Sequence, residues 1–303
     1  MNNSFELVAA PHTPCYPDGS VSLSMIDRQC EFLLHNGVTG VFVCGTTGEG
    51  LSFTTAERMA VLERWLKVSA GRLKIIAHVG HNCQREAMEL AAHAKGLNIG
   101  GVAAIAPHFV KPAKVNDLVD FLRPIAEACA PLPFLYYDIP SLTNVTHSAA
   151  DVIRLGLHLI PNFGGIKFTN INAVVLQECL SEAGTKAAVY FGVEEMLLAT
   201  LPLGVRQAVG STFNYTSRLH LQIVEAFDRG NLAQAALLQR RSVQIVRIIE
   251  KHGGPIRAGK VAMSLLGLDL GPVRPPLAIM TPGEIEALHA DLCTVPGLNQ
   301  PLS

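Results

Sequence analysis

Residues 161–170 read PNFGGIKFTN, an apolar run with strand character and one lysine in its second half. Two glycines, Ile166 and Phe168 suit the inside of a fold. An ammonium there is costly unless it is paired or can lose its proton. What Lys167 can do therefore depends on how this run is placed.

Similar runs recur along the chain: FELVAA (5–10), GVFVCG (40–45), LKIIAHVG (73–80), GVAAIAP (101–107), PFLYYDIP (133–140), GGIKFT (164–169), AAVYFGVE (187–194) and QAVGSTF (207–213). They are continuous rather than alternating in polarity, as in strands buried on both faces. Segments of helical periodicity lie between them. In TTAERMAVLERWLKVSAG (54–71), Met59, Leu62, Trp65 and Leu66 share one face, and Glu57, Arg58 and Lys67 fall mostly off it. SAADVIRLGLHL (148–159) opens on Ser148, a good N-cap, with Asp151 three residues on.

Eight strands alternating with helices at spacings of roughly 20–35 residues predict an α/β fold, the (β/α)8 TIM barrel. A doubly wound open sheet is the rival, but VAAPHTPCYPDG after the first strand lacks its glycine fingerprint. Residues 216–251 and 256–267 read as helices, followed by GPVRPP and a last helix in TPGEIEALHADL. The expected division is a barrel core over 1–215, then the last barrel helix and a C-terminal helical extension over 216–303.

Of 303 residues, 49% are hydrophobic and 16% charged, and the net charge is -1. That balance offers no electrostatic footprint for nucleic acid or an anionic membrane, so the expected ligand is small. Seven scattered cysteines without a C-x-x-C pair read as reduced thiols. MNNSFELVAA lacks the basic and apolar regions of a signal peptide, and no uncharged run is long enough to span a bilayer. A soluble cytoplasmic protein is expected. The eleven histidines show no metal-ligand spacing, so no metal site is expected.

In such barrels chemistry sits at the C-terminal ends of the strands. Lys167 lies there, on strand six, where an uncharged amine is the nucleophile that forms a Schiff base with a carbonyl. The alternative is a lysine that reaches the rim or pairs with Glu194 or Glu195. Lys74 starts its strand and fails the position test, whereas Lys111, in a loop, stays open. GTTGEG (45–50) offers backbone N–H groups and two hydroxyls as an anion cradle, without the G-K-[ST] of a P-loop. The alternative is a tight turn whose Thr46 or Thr47 caps a helix. In LYYDIPSLTN, Tyr136 and Tyr137 point opposite ways, so only one faces the interior to act as acid or base. Glu194, Glu195 and Ser211 bring polar groups suited to a polyhydroxylated ligand, unless the glutamates merely cap the next helix. Together these residues suggest a metal-free Schiff-base aldolase acting on a 2-oxo acid.

The ordered set LVAAPHTP, GTTGEG, HVG, IAPHFVKP, LPFLYYDIP, FGGIKFT, GSTFNY, MSLLGL and GPVRPPL resembles the N-acetylneuraminate lyase and dihydrodipicolinate synthase family of lysine-dependent pyruvate aldolases. The resemblance covers nearly the whole chain. It implies Lys167 as the Schiff-base lysine, Tyr137 as the proton-relay tyrosine, and Thr46 and Thr47 as the hydroxyl pair holding the pyruvate carboxylate. Lys167, Tyr137 and Thr47 are thus the expected catalytic residues. Leu142 stands where the synthase branch carries arginine, and Pro107-His108-Phe109 where it carries P-Y-Y. Both departures are similar to the lyase branch, in which Thr169, Gly192, Glu194, Glu195 and Ser211 match sugar-contacting positions. That branch implies reversible cleavage of N-acetylneuraminate to N-acetylmannosamine and pyruvate, with no cofactor beyond the covalent Schiff base, by a homotetramer. Another 2-keto-3-deoxy sugar acid, a synthase-type condensation and a non-catalytic sugar-acid-binding relative are the alternatives. Asp138, Asn144 and Glu194 depart from the branch pattern, and Asn144 is expected to take a left-handed conformation in place of glycine.

Overall fold

The run containing Lys167 forms a strand, Phe163–Phe168, paired in parallel with a neighbour on each side. The computed structural model describes residues 5–296. The first four residues of the N-terminal stretch, and residues 297–303 of the expected extension, lie outside the described residues. The strands are β1 (Glu6–Ala9), β2 (Gly40–Val43), β3 (Lys74–His78), β4 (Gly101–Ile105), β5 (Phe134–Asp138), β6 (Phe163–Phe168), β7 (Ala188–Phe191) and β8 (Gln207–Gly210). They close in chain order into a parallel barrel, with Val209 of β8 opposite Val8 of β1. Closure rules out the open sheet. Every expected run extends past the end of its strand, and all contain the whole strand except GGIKFT (164–169), whose strand starts one residue earlier at Phe163. The leftover residues leave the ladder at that end of the barrel, and Ala10, Thr169, Gly192 and Ser211 among them line its mouth.

Helices α1 (Leu23–His35), α2 (Thr55–Ser69), α3 (Gln84–Lys95), α4 (Val115–Cys129), α5 (Pro140–Thr143), α6 (Ala149–Leu159), α7 (Ala173–Ala183), α8 (Leu197–Thr200) and α9 (Phe213–Asp228) alternate with the strands or follow them. Alternate strand residues then meet two different apolar environments. Val8, Phe42, Ile76, Ala103 and Tyr137 fill the barrel interior, while Leu7, Val41, Ile75, Val102 and Tyr136 pack outward with helix residues such as Trp65 and Leu122. Burial on both faces is what made the runs continuous. In β5 it sends Tyr137 inward and Tyr136 and Asp138 outward.

Helix starts follow local chemistry. Thr54 and Glu57 form a reciprocal capping box on α2, and Ser148 Oγ accepts the Asp151 N–H at the start of α6, as expected. The helix expected over 216–251 is two helices. α9 begins earlier, at Phe213, and α10 (Leu232–Lys251) follows a break at Arg229–Asn231. Gly230 takes φ 74° there, and Asn231 caps α10 by accepting the Gln234 N–H. Beyond it come α11 (Gly254–Leu265) and α12 (Pro282–Cys293). These helices share an apolar cluster that reaches Met25 and Phe32 of α1, so the tail packs beside the barrel. Among the described residues no helix is long and apolar enough to cross a membrane.

Gly165 explains one of the two glycines in the opening run. Its φ is 145°, and a Cβ would fall 2.1 Å from the Ala188 carbonyl oxygen of β7. Gly165→Ala is expected to cost about 3 kcal/mol or to prevent folding, measured by urea unfolding; a change below about 1 kcal/mol would refute this account of β6.

Asp138 is buried behind β5, near the Tyr136 hydroxyl at 3.5 Å. Burial raises its pKa from 3.8 to about 7. The folded protein therefore binds more protons than the unfolded chain between those values, so this contribution to stability is full below about pH 4 and lost as pH rises through 7. Asp138→Asn is expected to gain stability over the parent, by a few kcal/mol at about pH 8 and less at about pH 5. Urea unfolding at both pH values checks the trend.

Candidate active site

Lys167 projects into the barrel near the C-terminal end of β6 and is 5% exposed. Its Nζ lies 3.9 Å from the centroid of the Tyr137 ring and 4.4 Å from that of Phe42. These are cation–π distances, set by the register that places Tyr137 of β5 beside Lys167. The alternative partner, Glu194, is engaged elsewhere: its Oε1 accepts from Ser211 Oγ at 2.9 Å and from the Thr212 N–H at 2.8 Å. The buried amine thus faces two rings and, among the described residues, no carboxylate partner.

Thr46, Thr47, Tyr137, Lys167, Thr169, Gly192, Glu194, Glu195 and Ser211, the residues singled out from the sequence, all line one cavity of about 540 Å³ at the barrel mouth. Lys74 sits instead at the other end of the barrel, ion-paired with Glu6 at 3.0 Å, and Lys111 is exposed away from the cavity. Leu142 lines the cavity as well. Asp138 does not, because it faces outward from β5. Asn144 takes φ 51° in the left-handed region, as expected of a glycine replacement.

The GTTGEG loop makes its turns through Glu49 N–H to the Thr46 carbonyl and Gly50 N–H to that of Gly45. The N–H groups of Thr46 and Thr47 stand outside those turns. Neither threonine caps α2, a role that falls to Thr54. The Thr46 hydroxyl lies 3.2 Å from that of Tyr137, joining cradle to phenol. A Cβ on Gly50 would fall 1.9 Å from the Cys44 carbonyl oxygen, so the loop can close this tightly only on glycine. The C-terminal helices hold it from behind. Glu49 ion-pairs with Lys260 of α11 at 2.9 Å, both almost fully buried, and accepts the Arg274 N–H at 2.7 Å.

At the opposite wall, a Cβ on Gly192 would fall 2.2 Å from Thr169 Oγ1, so glycine there makes room for that hydroxyl. Thr169 Oγ1 is buried with no hydrogen-bond partner among the described residues, open to a ligand. Burial and then the nearby charge of Glu194 push the pKa of Glu195 up. The glutamates lie in a short 3-10 turn before α8, and Glu194 spends its side chain on Ser211 and Thr212 rather than on capping.

Several contributors were not legible from the sequence. Val246, Ile249 and Glu250 of α10 and Pro255 of α11 complete the cavity wall. His78, at the end of β3, packs its ring edge-on to Tyr137, with centroids 5.7 Å apart. Its Nδ1 lies 3.0 Å from the Cys44 carbonyl oxygen, so Nδ1 carries the hydrogen and donates it. Burial, then the positive charges of Arg58 and Lys167, hold His78 well below the usual imidazole range. Arg58, expected off the buried face of α2, is 2% exposed and points inward to the end of β3. Among the described residues no group of three or more His, Cys, Asp or Glu side chains is placed to hold a metal ion.

A buried amine, a phenol hydrogen-bonded to a hydroxyl-bearing loop and a polar wall thus share one cavity. The whole chain also has known relatives. Residues 3–294 match the model of the Dihydrodipicolinate synthetase family. The chain is 38% identical to the N-acetylneuraminate lyase of Rattus norvegicus over 89% of its own length and 86% of that protein. It is 36% identical to that of Mus musculus over 97% and 93%. Its fold is similar to the N-acetylneuraminate lyase of Proteus mirabilis, with TM-score 0.94 and 37% identity over 97% of this chain and 99% of the other. A dihydrodipicolinate synthase of Bacillus anthracis matches with TM-score 0.90 and 25% identity, over 98% and 100%. By sequence match, fold and the composition of its barrel mouth, the chain belongs to the Dihydrodipicolinate synthetase family.

Proposed function

We propose that this protein is a class I aldolase that reversibly cleaves N-acetylneuraminate to N-acetylmannosamine and pyruvate. The observation that carries this is the buried, carboxylate-free amine of Lys167, set against Tyr137, whose hydroxyl meets Thr46 of the anion cradle. The identity to N-acetylneuraminate lyases supports the choice of substrate.

The substrate carboxylate docks on the hydroxyls and N–H groups of Thr46 and Thr47. The Lys167 nitrogen attacks C2 of the open-chain keto acid, and the Tyr137 hydroxyl gives its proton to the departing water, leaving a protonated imine and a Tyr137 phenolate. The Tyr137 oxygen takes the C4 hydroxyl proton, directly or through the substrate carboxylate, as the C3–C4 bond breaks. The bonding electrons flow into the imine, giving an enamine, and the aldehyde sugar departs. Protonation at C3 and addition of water to the imine then release pyruvate and restore Lys167. Thr169, Gly192, Glu194, Glu195 and Ser211 take the sugar end, where the partnerless hydroxyl of Thr169 and the Glu194–Ser211 bond supply polar contacts. No cofactor enters this scheme. A homotetramer in the cytoplasm remains part of the proposal; Phe109 and Val110, 84% and 76% exposed in the loop after β4, support association.

Leu142 in the cavity disfavours the synthase-type condensation, since no guanidinium stands there for a second carboxylate. A binding protein without chemistry would need neither the Lys167 amine nor the Tyr137 hydroxyl.

Pyruvate release from N-acetylneuraminate tests the proposal. Lys167→Met is expected to lower kcat by at least about a thousandfold. Tyr137→Phe is expected to lower kcat by roughly a hundredfold or more while still forming the Schiff base, seen by borohydride trapping. No cleavage by the unmodified protein, with turnover of a different keto sugar acid, would replace the substrate and keep the chemistry; full activity of Lys167→Met would overturn the chemistry.

A further inference from the structure

Besides Lys167, Arg58 is a buried cation without a carboxylate partner among the described residues. Lys260 has Glu49 and Arg274 has Glu57 as carboxylate partners. Arg58 is as buried as Lys260, yet among the described residues its guanidinium has no carboxylate partner: it donates to the carbonyls of His78 at 2.7 Å and Gly80 at 3.2 Å and lies beside the Cys44 thiol. Its Nε is buried without a partner among the described residues. The titratable group acting on it is the Cys44 thiol, which burial raises to about 11 and so keeps uncharged. A buried cation balanced by carbonyl dipoles and a neutral thiol, with no carboxylate beside it, is costly.

Its position shows where the missing partner belongs. Arg58 lies in the first turns of α2, the helix that follows the GTTGEG loop, and Cys44, just before that loop, donates its thiol to the Arg58 carbonyl. His78 sits between this corner and the barrel interior: one ring nitrogen meets the Cys44 carbonyl and the ring packs edge-on to Tyr137. The same imidazole is acted on by the charges of both Arg58 and Lys167. Arg58 thus joins, through the His78 carbonyl it donates to and the ring of that residue, to Tyr137 on the wall of the cavity.

We propose that Arg58 is an electrostatic positioning residue, whose buried guanidinium gains its counter-ion when a 2-oxo acid docks its carboxylate on the Thr46–Thr47 loop. It touches no substrate atom. The pair acts through the low-dielectric corner between α2 and the end of β3, where one charge is worth far more than in water. Selection of 2-oxo acids over neutral ketones then has two sources, the hydroxyls and N–H groups of the loop and the charge behind it. This inference rests on the aldolase reading of the site.

The test compares an anionic with a neutral carbonyl. Borohydride trapping rates are measured with pyruvate and with methyl pyruvate, for the full chain and for Arg58→Gln and Arg58→Lys. The preference for pyruvate over its ester is expected to fall about tenfold in Arg58→Gln and to be largely retained in Arg58→Lys, with ester trapping little changed in either. A purely structural role would slow both ligands alike and leave the preference unchanged in Arg58→Gln, which would overturn the proposal. Loss of the preference in Arg58→Lys as well as in Arg58→Gln would also overturn it, since charge would then not be the cause. Should Arg58→Gln not fold, Arg58→Met, which keeps most of the stem volume, carries the same expectation. Failure of the unsubstituted protein to trap pyruvate at all would instead remove the aldolase reading, and this inference with it.

Discussion

The rest of the site depends on one constraint: an amine enclosed by a parallel barrel must find either a counter-ion or a function. Lys167 has two aromatic faces and no carboxylate among the described residues. Glu194, which lines the same cavity, is held by Ser211 and the Thr212 N–H. Those bonds leave the Lys167 amine without Glu194 as a counter-ion, although β6 and β7 are neighbours in the barrel. A Lys167–Glu194 pair would hold the lysine charged and unreactive, and would close the place where a sugar chain can lie.

Backbone conformation supports this arrangement at three points. Gly165 lets β6 pass against Ala188, Gly50 lets the anion cradle close on Cys44, and Gly192 leaves room for Thr169. Each lies within a motif already legible in the sequence. The C-terminal helices add what the barrel lacks. Lys260 and Arg274 fasten the cradle through Glu49, and α10 walls the cavity with Val246 and Ile249. The extension therefore belongs to the site's construction.

The strands were legible because burial on both faces writes a continuous apolar run, and the barrel rule then pointed to the ends of those runs. Tyr137 and Tyr136 could be separated in principle by alternation alone, but which of them faces inward required the register. Arg58 was misplaced because helical periodicity ranks residues by polarity, and a charged side chain buried under a loop breaks that ranking. His78 falls within the HVG motif, but its contact with Tyr137 gave no signal, since one imidazole near a strand's end has no partner within its own segment. The break at Gly230 was passed over because the periodicity resumes directly behind it. The Lys260–Glu49 pair joins two distant segments and has no local signature in either.

The central claim is that Lys167 forms the covalent bond with the 2-oxo acid. Borohydride reduction in the presence of pyruvate, followed by digestion and peptide mass mapping, tests it most directly. The account predicts one reduced pyruvate adduct, on the peptide containing Lys167. An adduct on Lys74, Lys111 or any other lysine, or no adduct at all, would contradict it.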